Sequence, residues 1–138
     1  MADKVIYITD SDKKQLEQLI RDARVFGSEH EKYLKELQGE LNRAKVVKSK
    51  DIPEDVITMN TRVRLKDMDT QEEMIYWLVF PKDADADKNK ISIFSPVGTA
   101  LIGYKVGDII EFKVPAGLRK LKVKEVLYQP EAAGDYHL

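Results

Sequence analysis

The sequence contains no cysteine, and its 138 residues include only two histidines. The first absence removes disulfides, thiol nucleophiles and thiolate metal sites together. It suits a reducing compartment. The two histidines, His30 and His137, stand far apart in the chain. Neither a histidine metal cluster nor a histidine-based triad follows from them. No run of about 18 apolar residues occurs, so no segment reads as a membrane span. Met1 to Ile8 lacks the long apolar core of a signal peptide. Charge of one sign is lacking too: the formal net charge is -1. Residues 1–50 carry 11 Lys and Arg against 9 Asp and Glu, and residues 51–138 carry 12 against 15. Neither half projects a field that names a partner. What is present is 43% hydrophobic and 34% charged. That is a soluble globular composition, of a length for one domain or a small domain with an appendage. A cytoplasmic protein is expected.

The period of the apolar pattern changes near Lys48 to Pro53, and Pro53 cannot continue a helix. Before that point the pattern is helical. Val5 to Ile8 reads as a short strand or extended lead-in. Thr9 and Asp12 then form a T-x-x-D start signal. Leu16, Leu19, Ile20 and Ala23 follow at helical spacing. Gly27 breaks the run, and Ser28 with Glu31 forms a second capping box. Leu34, Leu37, Leu41 and Ala44 recur at helical spacing, with Tyr33 widening the stripe. Residues 10–46 therefore read as an antiparallel helical hairpin, a short coiled coil. Each helix would be only about 22–27 Å long at 1.5 Å per residue.

After Ile57 the texture is that of β-structure. Val63 and Leu65 alternate with Arg62, Arg64 and Lys66. Ile75, Trp77 and Val79 alternate with Tyr76, Leu78 and Phe80. Ile91 and Ile93 alternate with Ser92 and Phe94, and Ile110, Phe112 and Val114 follow the same rule. Leu121, Val123 and Val126 do so with a slip. Such strands predict a twisted antiparallel sheet. Pro96 to Leu101, with Pro at its start and Gly103 beyond its end, reads as one short helix. The fold class is α+β, with a hairpin over residues 1–50 and a sheet domain over residues 51–138.

The stretch Ile91-Ser-Ile-Phe-Ser95-Pro96-Val97-Gly-Thr-Ala100-Leu101-Ile102-Gly103-Tyr-Lys-Val-Gly107-Asp108 resembles the signature of the Gre transcript-elongation factors. Val114-Pro115-Ala116-Gly117 resembles the P-x-G one strand later in that family. Asn60-Thr61-Arg62-Val63 and the loop Asp83 to Asn89 match its first strand and acidic loop in order. The segment Pro53 to Asn60 and the ending Tyr128 to Tyr136 are similar to the Rnk branch, whose members are named regulators of nucleoside diphosphate kinase. The resemblance implies an FKBP-like C-terminal domain and RNA polymerase as partner, docked at the rim of the secondary channel. It implies that Phe94, Ser95, Pro96 and Val97 form the contact loop. The strand alternation places Phe94 opposite Ile91 and Ile93, as an exposed aromatic. The same residues have a purely structural reading, in which Pro96 starts a helix and Gly103 and Gly107 turn the chain.

Gre factors stimulate transcript cleavage with paired carboxylates at a long hairpin tip, where oxygen ligands help hold a second Mg²⁺. Here the tip carries Asp22, Glu29 and Glu31, without the D-x-x-E arrangement of that family. Glu31 reads as the capping-box acid and Glu29 as a helix N-terminal acid, hence as structural groups. The hairpin also loses nearly half the reach of a helix of about 30 residues, which spans roughly 45 Å. The expectation is a monomeric, non-enzymatic regulator that occupies the channel entrance and competes with longer hairpin factors. It has no catalytic residue, metal site or cofactor, and no sequence-specific nucleic-acid contact. The alternatives are a Gre-like cleavage factor and a direct regulator of nucleoside diphosphate kinase. The FKBP-like fold also raises prolyl isomerisation, but Tyr76, Trp77, Phe80, Phe94 and Phe112 are few aromatics for such a pocket. Asp83, Asp85 and Asp87 resemble the start of an EF-hand loop but lack its glycine and terminal glutamate, so they read as a solvated turn. Arg119, Lys120, Lys122 and Lys124 read as a solvated strand face, with Leu121 and Val123 facing inward.

Overall fold

The computed structural model describes residues 5–25 and 31–135. Strand β1 (Tyr7–Thr9) leads into helix α1 (Asp10–Val25), and helix α2 (Glu31–Arg43) returns alongside it. Each helix buries one stripe. Leu16 and Ile20 of α1 and Leu34, Leu37 and Leu41 of α2 are all at most 1% exposed. Helical spacing of these residues puts them on facing surfaces, and Leu-to-Ala truncation at such positions costs about 2–5 kcal/mol.

The predicted hairpin differs at its end. The helix stops at Arg43, and Lys45–Val47 forms strand β2, paired in parallel with β1. The β-branched pair Val46-Val47 leaves the helical register, and the backbone N–H of Lys45 donates to the Ile6 carbonyl at 2.9 Å. The two ends of the hairpin are thereby stitched together at its root.

A five-stranded sheet follows, in the order β5-β4-β3-β7-β6. Its strands are β3 (Thr61–Asp67), β4 (Glu73–Val79), β5 (Lys90–Ser92), β6 (Ile109–Val114) and β7 (Gly117–Tyr128). The pairings are antiparallel except β4 with β5, which is parallel. The slip between Val123 and Val126 is a β-bulge: Leu65 faces Val123 and Val63 faces Val126, so β7 advances three residues where β3 advances two. Val63, Leu65, Leu121 and Val123 are buried. Helix α3 (Pro96–Leu101) covers this inner face beside β6, and a short helix α4 (Pro130–Ala133) closes the described chain.

One hydrophobic cluster runs from Leu16 and Leu37 of the hairpin through Ile57 and Met59 to Val63, Leu101 and Val123. Gly103 marks the crossing. Its φ is +85°, and a Cβ there would come within 2.8 Å of the Ile6 Cβ. Its carbonyl accepts from Tyr7 N–H at 3.2 Å, and its N–H donates to the Ile57 carbonyl at 2.9 Å. Only glycine combines this backbone conformation with so close an approach.

Candidate functional site

The loop that opens α3 is built by its own hydrogen bonds. The Ser95 hydroxyl donates to the Ser92 carbonyl at 2.7 Å and accepts from Gly98 N–H at 3.0 Å, which makes Ser95 the N-cap of the helix. Pro96 occupies the first helical turn, where its missing N–H has no cost. Thr99 is 4% exposed, and its hydroxyl donates to the Ile93 carbonyl at 2.7 Å. A Cβ on Gly98 would sit 2.1 Å from the Ser92 carbonyl oxygen. Ser95, Gly98 and Thr99 therefore set the shape of the loop, and Phe94, Pro96 and Val97 are left half-buried at its surface.

Phe94 does not stand where the alternation put it. The strand ends at Ser92, whose hydroxyl captures the Phe94 N–H at 3.0 Å and turns the chain. Ile93 is fully buried, while Phe94 packs its ring partly against the same core. It is a half-buried aromatic, not an exposed one. An open cleft of about 670 Å³ lies beside the loop, walled by Tyr33 and Glu36 of α2, Pro96 and Ala100 of α3, and Phe112 of β6. Of the five aromatics weighed for an isomerase pocket, only Phe112 lines it.

At the far end of the hairpin, Asp22 accepts from Gln18 Nε2 at 2.9 Å, and Glu31 lies 3.4 Å from Arg24. Both contacts are local and solvent-exposed. Glu29, Ser28 and His30 lie outside the described residues, as does His137. Among the described residues no group of three His, Cys, Asp or Glu is arranged to hold a metal ion. The acidic turn is held locally, with Asp85 accepting from Asp87 N–H at 3.1 Å.

The hairpin is fastened to the sheet through a polar joint that the sequence reading missed. Asp12 is not a surface capping acid. Thr9 Oγ1 accepts from its N–H at 3.0 Å, as the start signal predicts. The Asp12 carboxylate, 3% exposed, then accepts from Met59 N–H at 3.0 Å, 47 residues along the chain. Burial above all, opposed by the Met59 hydrogen bond and aided by the nearby Glu131 charge, leaves its pKa raised to about 7. Thr58 Oγ1 lies 2.8 Å from Thr61 Oγ1 and donates to Glu131 at 2.7 Å. Gln129, 3% exposed, donates to the carbonyls of Pro53 and Val56, each at 2.8 Å. Arg43 of α2 reaches Tyr104 Oη at 3.0 Å. The segments Pro53 to Asn60 and Tyr128 to Asp135 thus meet each other and the root of the hairpin. No residue signal announced it, because its partners are distant in the chain.

No described helix is long and apolar enough to cross a membrane. The family model described as transcription elongation factor GreA/GreB, C-terminal, matches residues 52–128, and that of the Rnk N-terminus matches residues 4–47. The regulator of nucleoside diphosphate kinase of Escherichia coli (strain K12) is 36% identical over 139 residues, across 100% of both chains. Transcription elongation factor GreA of Acetivibrio thermocellus is 38% identical over 118 residues, covering 86% of this chain and 69% of its own. A solved prokaryotic transcription elongation factor GreA/GreB from Nitrosomonas europaea superposes with a TM-score of 0.73 at 38% identity, covering 91% of this chain and 99% of that one. These relatives carry the names of transcription factors and of a regulator. The chain belongs to the GreA/GreB transcription elongation factor family, and within it to the Rnk branch.

Proposed function

We propose that this protein binds RNA polymerase at the rim of the secondary channel and holds a short hairpin in the channel entrance, where it competes with longer hairpin factors without stimulating transcript cleavage. Residues 51–138 act as the docking domain and residues 1–50 as the inserted element. Phe94, Pro96 and Val97 touch the polymerase, and Ser95 shapes the loop that presents them.

The observation that carries the reading is a short hairpin fixed to a GreA/GreB-type domain. Helices of 16 and 13 residues span about 24 and 20 Å. A helix of about 30 residues would span roughly 45 Å. Asp22 and Glu31 are engaged in local contacts, which supports their reading as structural acids. The protein acts in this reading as a monomer in the cytoplasm, without a cofactor. A second reading, direct action on nucleoside diphosphate kinase, is favoured by the name of the Escherichia coli relative.

Co-purification separates the two. Tagged protein should retain RNA polymerase, and Pro96→Glu should release it while leaving the Ser95 cap intact. Retention of nucleoside diphosphate kinase and not of polymerase would favour the second reading. Equal retention of polymerase by both forms would remove the loop from the interface.

A further inference from the structure

The side of the sheet turned away from the core carries a set of residues that lies outside the proposed polymerase contact loop, with the Tyr128 hydroxyl donating to Asp135 at its border. Registers place Arg62 opposite Trp77 and Tyr128, Arg64 opposite Ile75 and Glu125, and Lys66 opposite Glu73 and Lys122. Lys90 of the edge strand lies beside Trp77. Alternation puts these side chains on one face, because the intervening Val63, Leu65, Leu78 and Val123 are fully buried on the other.

Two features of this face point to a ligand. The first is aromatic. Trp77, the single tryptophan of the chain, sits on the solvent side, 5.6 Å from the Tyr128 ring at a 56° tilt. The exposed Arg62 guanidinium lies 5.9 Å from its ring centroid. The group therefore presents a guanidinium plane and a tyrosine ring on which a flat, electron-rich partner can stack. The second is charge. Arg64 is answered by Glu125 at 3.2 Å. Arg62, Lys66, Lys90 and Lys122 have no carboxylate within ion-pair distance among the described residues, although the chain as a whole is weakly acidic. Lys66 and Lys122 are directly paired across β3 and β7, and like charges so placed destabilise a sheet. A polyanion laid across the face would relieve that repulsion.

We propose that the outer face of the sheet binds single-stranded nucleic acid, with phosphates on Lys66, Lys90 and Lys122 and a base stacked against the Arg62, Trp77 and Tyr128 group. Aromatic rings set among cations on a sheet surface are a sequence-tolerant platform for unpaired bases, since every base has a π-face. The proposal does not rest on polymerase docking and is tested without polymerase.

Trp77 supplies the readout. The intact protein is titrated with uridine and thymidine oligomers of about 12 nucleotides, within the usual site size of such platforms. Either oligomer should quench Trp77 fluorescence, and comparing them separates an RNA strand from a DNA strand. Three phosphate contacts predict a loss of about 20-fold in affinity between 50 and 200 mM salt. Lys66→Gln with Lys122→Gln should weaken binding at least 10-fold on the order of two lost contacts, with unchanged far-UV circular dichroism. Arg62→Ala should weaken binding several-fold and reduce the quench. Absence of quenching at low salt, or equal binding by the double variant, would overturn the proposal. So would heparin quenching Trp77 as strongly as the oligomers, because heparin has charge but no bases.

Discussion

At the scale of single residues, the signature around Ser95 is shaped first by geometry. Ser95 caps α3, and Gly98 lets that helix approach the Ser92 carbonyl. Ser95→Ala is expected to cost about 1–2 kcal/mol, the usual loss for a removed N-cap. Gly98→Ala should cost about 3 kcal/mol, because a methyl group at 2.1 Å from a carbonyl oxygen must displace backbone. Urea unfolding checks both. Asp12 makes a prediction of opposite character. Its folded pKa stands at about 7 against 3.8 for the free group, so the native state binds the proton more tightly. The contribution is complete below about pH 4, declines as pH rises, and is gone above about pH 7, a span worth roughly 4 kcal/mol at most. Asp12→Asn should flatten the stability profile between these limits. An unchanged slope would place the titration elsewhere. Asp67 acts in a separate window. The Arg119 guanidinium holds its carboxyl below the usual range, so its contribution is present above that range and is lost on acidification.

At the scale of elements, the sequence was most legible where one period ran long enough. The stripes Leu16-Ile20 and Leu34-Leu37-Leu41 defined the hairpin, and Pro96 with Gly103 bracketed α3. The slip in β7 was visible as a break in alternation, and the structure gives its cause as a bulge. Strand β2 was not legible, since three residues after a helix carry no period of their own. The parallel pairing of β5 depends on the path of the preceding loop, not on the residues paired. Phe94 was misplaced because the strand ends at Ser92, whose hydroxyl oxygen accepts from the Phe94 N–H in place of a sheet partner. Asp12 had the right spacing for a cap, yet its carboxylate answers Met59. Because that joint and a shared apolar cluster tie hairpin to sheet, the two should unfold together. Trp77 fluorescence from the sheet and helical circular dichroism should then give coincident transitions. Separate midpoints would mean that the hairpin melts on its own.

At the scale of the whole molecule, the hairpin leaves the sheet domain at an angle set by contacts at its root. Ile6 packs against Gly103, Asp12 holds Met59, Arg43 holds Tyr104, and Gln129 and Glu131 brace the connecting segment. A GreA/GreB-type domain thus carries an arm held by contacts at its root that is too short, in the proposed docking, to deliver carboxylates to a distant metal. The distinction between occupying a channel and catalysing in it rests on reach. The direct measurement is transcript cleavage in a purified, backtracked RNA polymerase complex, with this protein added alone and then together with a Gre factor. The account predicts no cleavage above background from this protein alone, and a dose-dependent fall in Gre-stimulated cleavage when both are present. Restored cleavage by this protein alone would contradict it.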